Sequence, residues 1–260
     1  MKVSVDWLAE LTGLELEAKT LAERFTSAGL EVDEVVPAGS SLDGVIVAEI
    51  VAAERHPDAE RLQVCEVDTG DGRVQIVCGA PNARVGLKAP LAMLGAELPV
   101  GMKIKQAKLR GVESSGMLCS ARELELSEDA AGLMELPTEA AVGQSLHNAL
   151  ALDDSILTLE LTPNRSDCLG MYGLARECSA LYEHRWNAPD IEPAKEELSD
   201  TLPINLAAPD GCPRYAGRVI RGVDASRPTP MWMRERLRRS GLRSISAIVD
   251  VTNYILLELG

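Results

Sequence analysis

Apolar and polar positions alternate along the chain in short blocks, and the blocks predict its elements. Residues 1–36 read as helix, helix, strand. Ser4 stands where it can cap a short helix reaching Leu11, and Leu14 to Leu16 give a turn. Thr20 or Lys19 starts a second helix with Leu21, Ala22, Phe25 and Ala28 on one face, and Gly29 ends it. Residues 30–36 alternate apolar and acidic side chains, the mark of a half-buried strand. Residues 37–41 read as a linker, and Val45–Val51 as the next strand.

From residue 56 to residue 120 the blocks shorten. A turn at His56–Ala59 leads through Leu62 to Gln63–Val67, and Val74–Cys78 follows across Thr69-Gly70-Asp71-Gly72. Asp-Gly there suits a tight turn, because glycine accepts positive φ without strain. Lys88–Leu94, a turn at 95–101, Met102–Leu109, Gly111 and Gly116–Ser120 continue the series. Strands of about five residues between glycine- or proline-bearing turns predict a small closed or nearly closed β barrel.

Beyond the barrel, Ile156–Leu161 alternates again, and a helix capped by Ser166 or Asp167 reaches about Tyr182. One lone strand before the barrel and one after it cannot each hide an apolar face. Pairing them makes one α+β unit with the barrel inserted in it. Residues 187–203 are proline-rich and acidic and read as a linker. A strand over 213–220 and a helix over 231–239 then open a new unit. Ile245–Leu259 is apolar on nearly every face and predicts a buried helix, and ending the chain on it suggests a truncated piece.

Composition narrows the function classes. At 260 residues and 46% hydrophobic the chain can bury a sizeable core in two or three units. Glu49 interrupts the longest apolar run, and the first residues lack a signal core, so neither a membrane nor export is expected. Six cysteines without a CxxC pair and three scattered histidines point to reduced thiols, with no metal site. Cys65, Cys78 and Cys119 read as small core residues, and none of His56, His147 and His184 has a partner at a recognisable spacing. The net charge of −14 opposes indiscriminate binding to polyanions, DNA included. Nine arginines and no lysine between Arg214 and Arg243 reverse that sign locally, as a solvated helix or as a basic face.

Particular motifs add a family. The stretches IVCGAPNARVG at 76–86, KIKQAKLRG at 103–111 and SSGMLCSAREL at 114–124 resemble the tRNA-binding OB-fold family. The flanks LEVDEV (30–35), LTPNRSDCLGMYGLARE (161–177), CPRYAGRVIRGV (212–223) and residues 229–260 resemble the bacterial phenylalanyl-tRNA synthetase β subunit, in that family's order. The resemblance implies an α+β multidomain chain: an OB-fold β barrel inserted into a split α+β domain, followed by the truncated start of an α/β editing domain. The expected boundaries are 1–38 with 151–186 for the split domain and 39–150 for the barrel. A linker follows at 187–204, then the editing start at 205–260.

It also implies a function. The family charges tRNA(Phe) with phenylalanine as a cytoplasmic α2β2 enzyme, using ATP and Mg²⁺ at a site in the α subunit, so this chain itself would hold no cofactor. A pocket for phenylalanine rejects an added hydroxyl by only about 10², so Tyr-tRNA must be hydrolysed at a second site. By resemblance that site uses Arg243, Thr252 and Asn253, with a family histidine expected just past Gly260. Thr252 and Asn253 could equally hydrogen-bond their own helix. For the barrel, residues 40–150 hold ten Lys and Arg against sixteen Asp and Glu, and no Phe, Tyr or Trp. Base stacking is therefore unavailable, and Lys103, Lys105, Lys108 and Arg110 are the candidates for phosphate contact, unless they are only a solvated strand face. A stand-alone tRNA-binding protein, a structural docking module and a free-standing deacylase remain the alternatives.

Overall fold

The computed structural model describes residues 1–188 and 190–260; Pro189, within the expected linker, lies outside the described residues. Strand β1 (Lys2–Ser4) runs directly into helix α1 (Val5–Thr12), because the Ser4 hydroxyl accepts from Trp7 N–H at 3.1 Å. Helix α2 (Ala18–Ser27) starts before Lys19. The carboxylate of Glu17 caps the amides of Lys19 (3.0 Å) and Thr20 (2.7 Å), a role that pattern alone did not assign. Gly29 has φ 85° and Leu30 N–H closes on Phe25 C=O at 2.8 Å, so the helix ends where expected. Strand β2 (Glu31–Pro37) follows.

The barrel sheet has the order β5-β4-β3-β6-β9, all antiparallel, from β3 (Val45–His56), β4 (Ala59–Asp68), β5 (Arg73–Cys78), β6 (Lys88–Met93) and β9 (Gly116–Leu118). Its two edges meet: Ser115 N–H donates to Gln75 C=O (2.9 Å), and Val77 N–H to Ser114 Oγ (3.1 Å). Gly116 lets β9 lie close against β6, since a Cβ there would lie 2.9 Å from Ala92 O. The sheet is a nearly closed barrel. Two details differ from expectation. In the turn after β4 the positive φ (88°) falls on Gly70, and Thr69 N–H bonds Gly72 C=O at 2.9 Å. The strand expected over 102–109 is two pieces. Residues 97–103 form a small hairpin, with Leu98 N–H on Met102 C=O (2.8 Å), and only Ala107–Leu109 is a strand, β7, paired with β8 (Val112–Ser114).

After helix α3 (Leu146–Ala149), strand β10 (Ser155–Glu160) lies between β1 and β2, antiparallel to both, with Leu157 opposite Val3 and Val35. The two lone strands therefore share one sheet. A 3-10 turn, Pro163–Cys168, precedes helix α4 (Met171–Leu181), whose N-cap is Gly170 and neither Ser166 nor Asp167. Asp167 is held by Arg165 at 3.1 Å, and the turn presses on the helix so closely that a Cβ at Gly173 would strike Asp167 O. Trp7, Leu8, Leu21, Phe25, Leu157 and Leu174 fill the core of this unit.

The C-terminal region departs most from its pattern. Residues 213–220 form no strand: nothing among the described residues pairs with them, and Ile220 is 73% exposed. Helices α5 (Met231–Arg239) and α6 (Ala247–Leu259) form as expected, but α6 is not buried. Ile248 is 52% and Leu256 60% exposed; only Asp250 is fully covered, while Tyr254 and Leu257 rest against the first unit's core. An apolar sequence set the helix; the neighbouring elements cover just one of its faces. Among the described residues no helix is long and apolar enough to cross a membrane.

Candidate nucleic-acid interface

The four basic candidates of the barrel occupy one continuous stretch. Lys103 closes the small hairpin opposite Glu97, Lys105 lies in the connection to β7, and Lys108 sits on β7 opposite Glu113 of β8. Arg110 and Gly111 make the two-residue turn, with φ of 43° and 88°, the positive pair that a tight antiparallel turn demands. All four cations are exposed, and none forms an ion pair among the described residues. By contrast Arg73 pairs with Glu66, and Arg84 with Glu135 at 2.8 Å, raising the guanidinium and lowering the carboxyl through their mutual hydrogen bonds. Arg55, Arg61 and Arg122 are likewise exposed and form no ion pair among the described residues, but Lys103, Lys105, Lys108 and Arg110 are the four that one short stretch brings together. Met102 and Leu109, also exposed, lie among them.

Three arginines of the arginine-rich run, all on α5, do not form such a face. On α5, Arg239 is buried, donating to Asp154 Oδ2 (2.9 Å), Leu150 C=O (2.7 Å) and Ala151 C=O (3.0 Å). Asp154, itself buried, also accepts from Ser4 Oγ (2.5 Å) and Asp6 N–H (2.9 Å). Arg238 bonds Glu235 and the Ala38 carbonyl. Arg236 pairs with Glu10, donates to Tyr254 Oη (2.9 Å) and lies 5.0 Å from the Trp7 ring centre. These three fasten α5 across α1, β1 and the exit from the barrel. Arg236 and Arg239 line, with Trp7, Trp232 and Glu139, a cleft of about 520 Å³. Sequence showed the charge of this run but not its partners, which lie up to 226 positions away.

The editing candidates sit at the other end of this region. Arg243 is exposed in the connection between α5 and α6. Thr252 and Asn253 are consecutive on α6, so their side chains diverge by about 100°. Thr252 Oγ1 donates to Val249 C=O at 2.7 Å, within its own helix, and Asn253, half-buried, makes no side-chain hydrogen bond among the described residues. Asp250 beside them is a structural anchor. Burial raises its carboxyl, but hydrogen bonds from Ser244 Oγ (2.5 Å), Thr229 Oγ1 (2.5 Å) and Ile245 N–H (2.9 Å) outweigh that and hold it below the usual range.

Cys65, Cys78, Cys119, Cys168 and Cys178 are buried and Cys212 exposed; burial pushes the Cys119 and Cys178 thiols up to about 12. Asp167, Cys168 and Glu177 converge at metal-ligand spacing, yet Arg165 fills the space, reaching Asp167 at 3.1 Å, Glu177 at 3.0 Å and Cys168 Sγ at 3.0 Å. It is an ion-pair cluster.

Comparison with known proteins follows this division. Residues 45–145 match the family described as "Putative tRNA binding domain", and residues 211–260 match the B3/4 domain. Over 261 residues the chain is 57% identical to the phenylalanine–tRNA ligase β subunit of Aromatoleum aromaticum, covering 100% of this chain and 33% of that protein. The β subunits of Pseudomonas putida (53%, covering 100% and 33%) and Bordetella parapertussis (54%, covering 100% and 32%) match alike. The chain thus spans about a third of the length of the curated relatives it matches. Matched from its first residue to its last, with both family segments in place, the chain is similar along its whole length to about a third of the length of the phenylalanine–tRNA ligase β subunits.

Proposed function

We propose that the chain is the tRNA-handling part of a phenylalanine–tRNA ligase β subunit. The carrying observation is the identity of 57% along the whole chain, joined to an exposed, unpaired basic stretch inside the segment matched by a tRNA-binding family. In this reading residues 1–38 and 151–186 form one split α+β domain around an OB-fold barrel at 39–150, followed by a linker at 187–204. The shared sheet of β1, β10 and β2 supports it. Residues 205–260 begin an α/β editing domain, where Arg243, Thr252 and Asn253 address the end of a mischarged tRNA.

The partners are tRNA(Phe) and the α subunit in an α2β2 enzyme of the cytoplasm. ATP and Mg²⁺ serve aminoacylation there. The residues of this chain do not fit them: the sequence has no glycine-rich phosphate loop, and among the described residues the one group of three ligand-type side chains, Asp167, Cys168 and Glu177, is filled by Arg165. What this chain supplies is binding and placement. Lys103, Lys105, Lys108 and Arg110 hold phosphates without stacking bases, so binding is weak and salt-dependent.

Two experiments test this. Reading the gene past codon 260 should show a continuing frame with a histidine within about five residues, as the family resemblance implies. The full gene product, expressed with an α subunit, should charge tRNA with phenylalanine and hydrolyse Tyr-tRNA. A product that binds tRNA but does neither overturns the ligase reading in favour of a binding module.

A further inference from the structure

The strand pair that carries Lys108 and Arg110 is fastened to the barrel by a histidine whose sequence neighbours give it no role. His56 ends β3 and is only 4% exposed. Both its ring nitrogens are engaged. Asp58 N–H lies 3.1 Å from Nδ1, and the carbonyl of Leu109 lies 3.1 Å from Nε2, 53 positions along the chain. A backbone N–H can only donate, so Nδ1 is the acceptor and the ring proton is on Nε2, directed at Leu109. The opposite tautomer would set two donors against each other at Asp58 and leave the Leu109 carbonyl facing a lone pair. One tautomer satisfies both bonds.

Leu109 is the last residue of β7 and immediately precedes the Arg110–Gly111 turn. The β7–β8 pair has three residues on each side, too few to hold a position unaided. On the β8 side Gln75 Nε2 bonds the Glu113 carbonyl at 2.7 Å. On the β7 side, among the described residues, the hydrogen bond to the rest of the barrel is that of His56. We propose that His56 is a positioning residue: its neutral ring latches the Arg110–Gly111 turn to the Pro57–Asp58 turn and so sets where Lys108 and Arg110 meet an RNA phosphate. The functional half of this rests on the reading of those cations as tRNA contacts; the latch itself does not.

The test compares His56→Phe, which keeps a ring and loses both bonds, with His56→Gln, whose amide can still donate to Leu109. Backbone amide exchange across 107–114 and tRNA affinity are read on the 260-residue chain, unchanged and substituted. We expect His56→Phe to speed exchange in the pair, and to weaken tRNA binding, by up to about tenfold, the range for one missing hydrogen bond. His56→Gln should restore most of both. Exchange in His56→Phe no faster than in the unchanged protein overturns the latch. Faster exchange with unchanged tRNA affinity upholds the latch and overturns the tRNA role of Lys108 and Arg110. Should His56→Phe not fold, nitrogen NMR of the ring in the unchanged protein decides: a protonated Nε2 and bare Nδ1 are expected, and the reverse overturns the proposal.

Discussion

At the scale of single residues, the decisive groups are charged ones taken out of water. Arg239 and Asp154 are each buried, and their pairing is supplemented by two backbone carbonyls on one side and by Ser4 and Asp6 on the other. Removing one partner of such a pair strands the other, which costs about 3–5 kcal/mol. Arg239→Met should therefore lower the unfolding free energy measured in urea by an amount in that range, whereas a loss under about 1 kcal/mol would show that α5 is not anchored there. Asp250 gives a pH signature. Its carboxyl is held below the ordinary 3.8, so its contribution is fully present above that value and is lost as pH falls through the lower folded value. Asp250→Asn should flatten the stability profile below about pH 4 and leave its shape unchanged at neutral pH.

At the scale of elements, local pattern and tertiary cover separate cleanly. Ser4, Gly29 and the 3.6-residue spacing of Leu21 and Phe25 define α1 and α2 through contacts a few residues long, and these were legible in the sequence. The same holds for most of the barrel strands, whose turns carry a glycine or, between β3 and β4, a proline, but not for the run over 102–109, which is only partly a strand. What was not legible depended on distant partners. The apolar run of α6 implied burial, but burial is a property of neighbours, and only Tyr254 and Leu257 meet any core. Residues 213–220 have strand-forming side chains and, among the described residues, no edge that pairs with them. Helix α6 is thus divided energetically. Leu256→Gln should change stability by less than about 0.5 kcal/mol. Tyr254→Ala, which removes the ring stacked on Trp7 at 5.2 Å and the partner of Arg236, should cost about 3 kcal/mol. Equal losses in chemical denaturation would contradict this assignment of faces.

At the scale of the molecule, charge is sorted by task. The chain carries a net −14, yet its two concentrations of cations behave differently. Arg236, Arg238 and Arg239 of α5 are consumed internally, joining the segment matched by the B3/4 family to α1, to Ala38 after β2 and to the barrel's exit. The stretch from Lys103 to Arg110 is left open to solvent on a barrel that has no aromatic side chain. Composition placed both clusters; only the ion-pair partners told them apart. Of the candidate sites, the basic stretch was therefore legible as a set of residues, while the latch by His56 was not, because its partner carbonyl belongs to the backbone and leaves no trace in side-chain spacing.

The central claim is that this open stretch binds tRNA through phosphates. The most direct measurement is the salt dependence of tRNA affinity for the 260-residue chain and for its Lys103→Ala, Lys105→Ala, Lys108→Ala triple variant. The account predicts weak binding whose log–log salt slope flattens by about 0.7–0.9 for each phosphate that the variant no longer neutralises, with affinity falling in step. An unchanged slope and affinity in the triple variant would contradict it and leave the barrel as a docking surface.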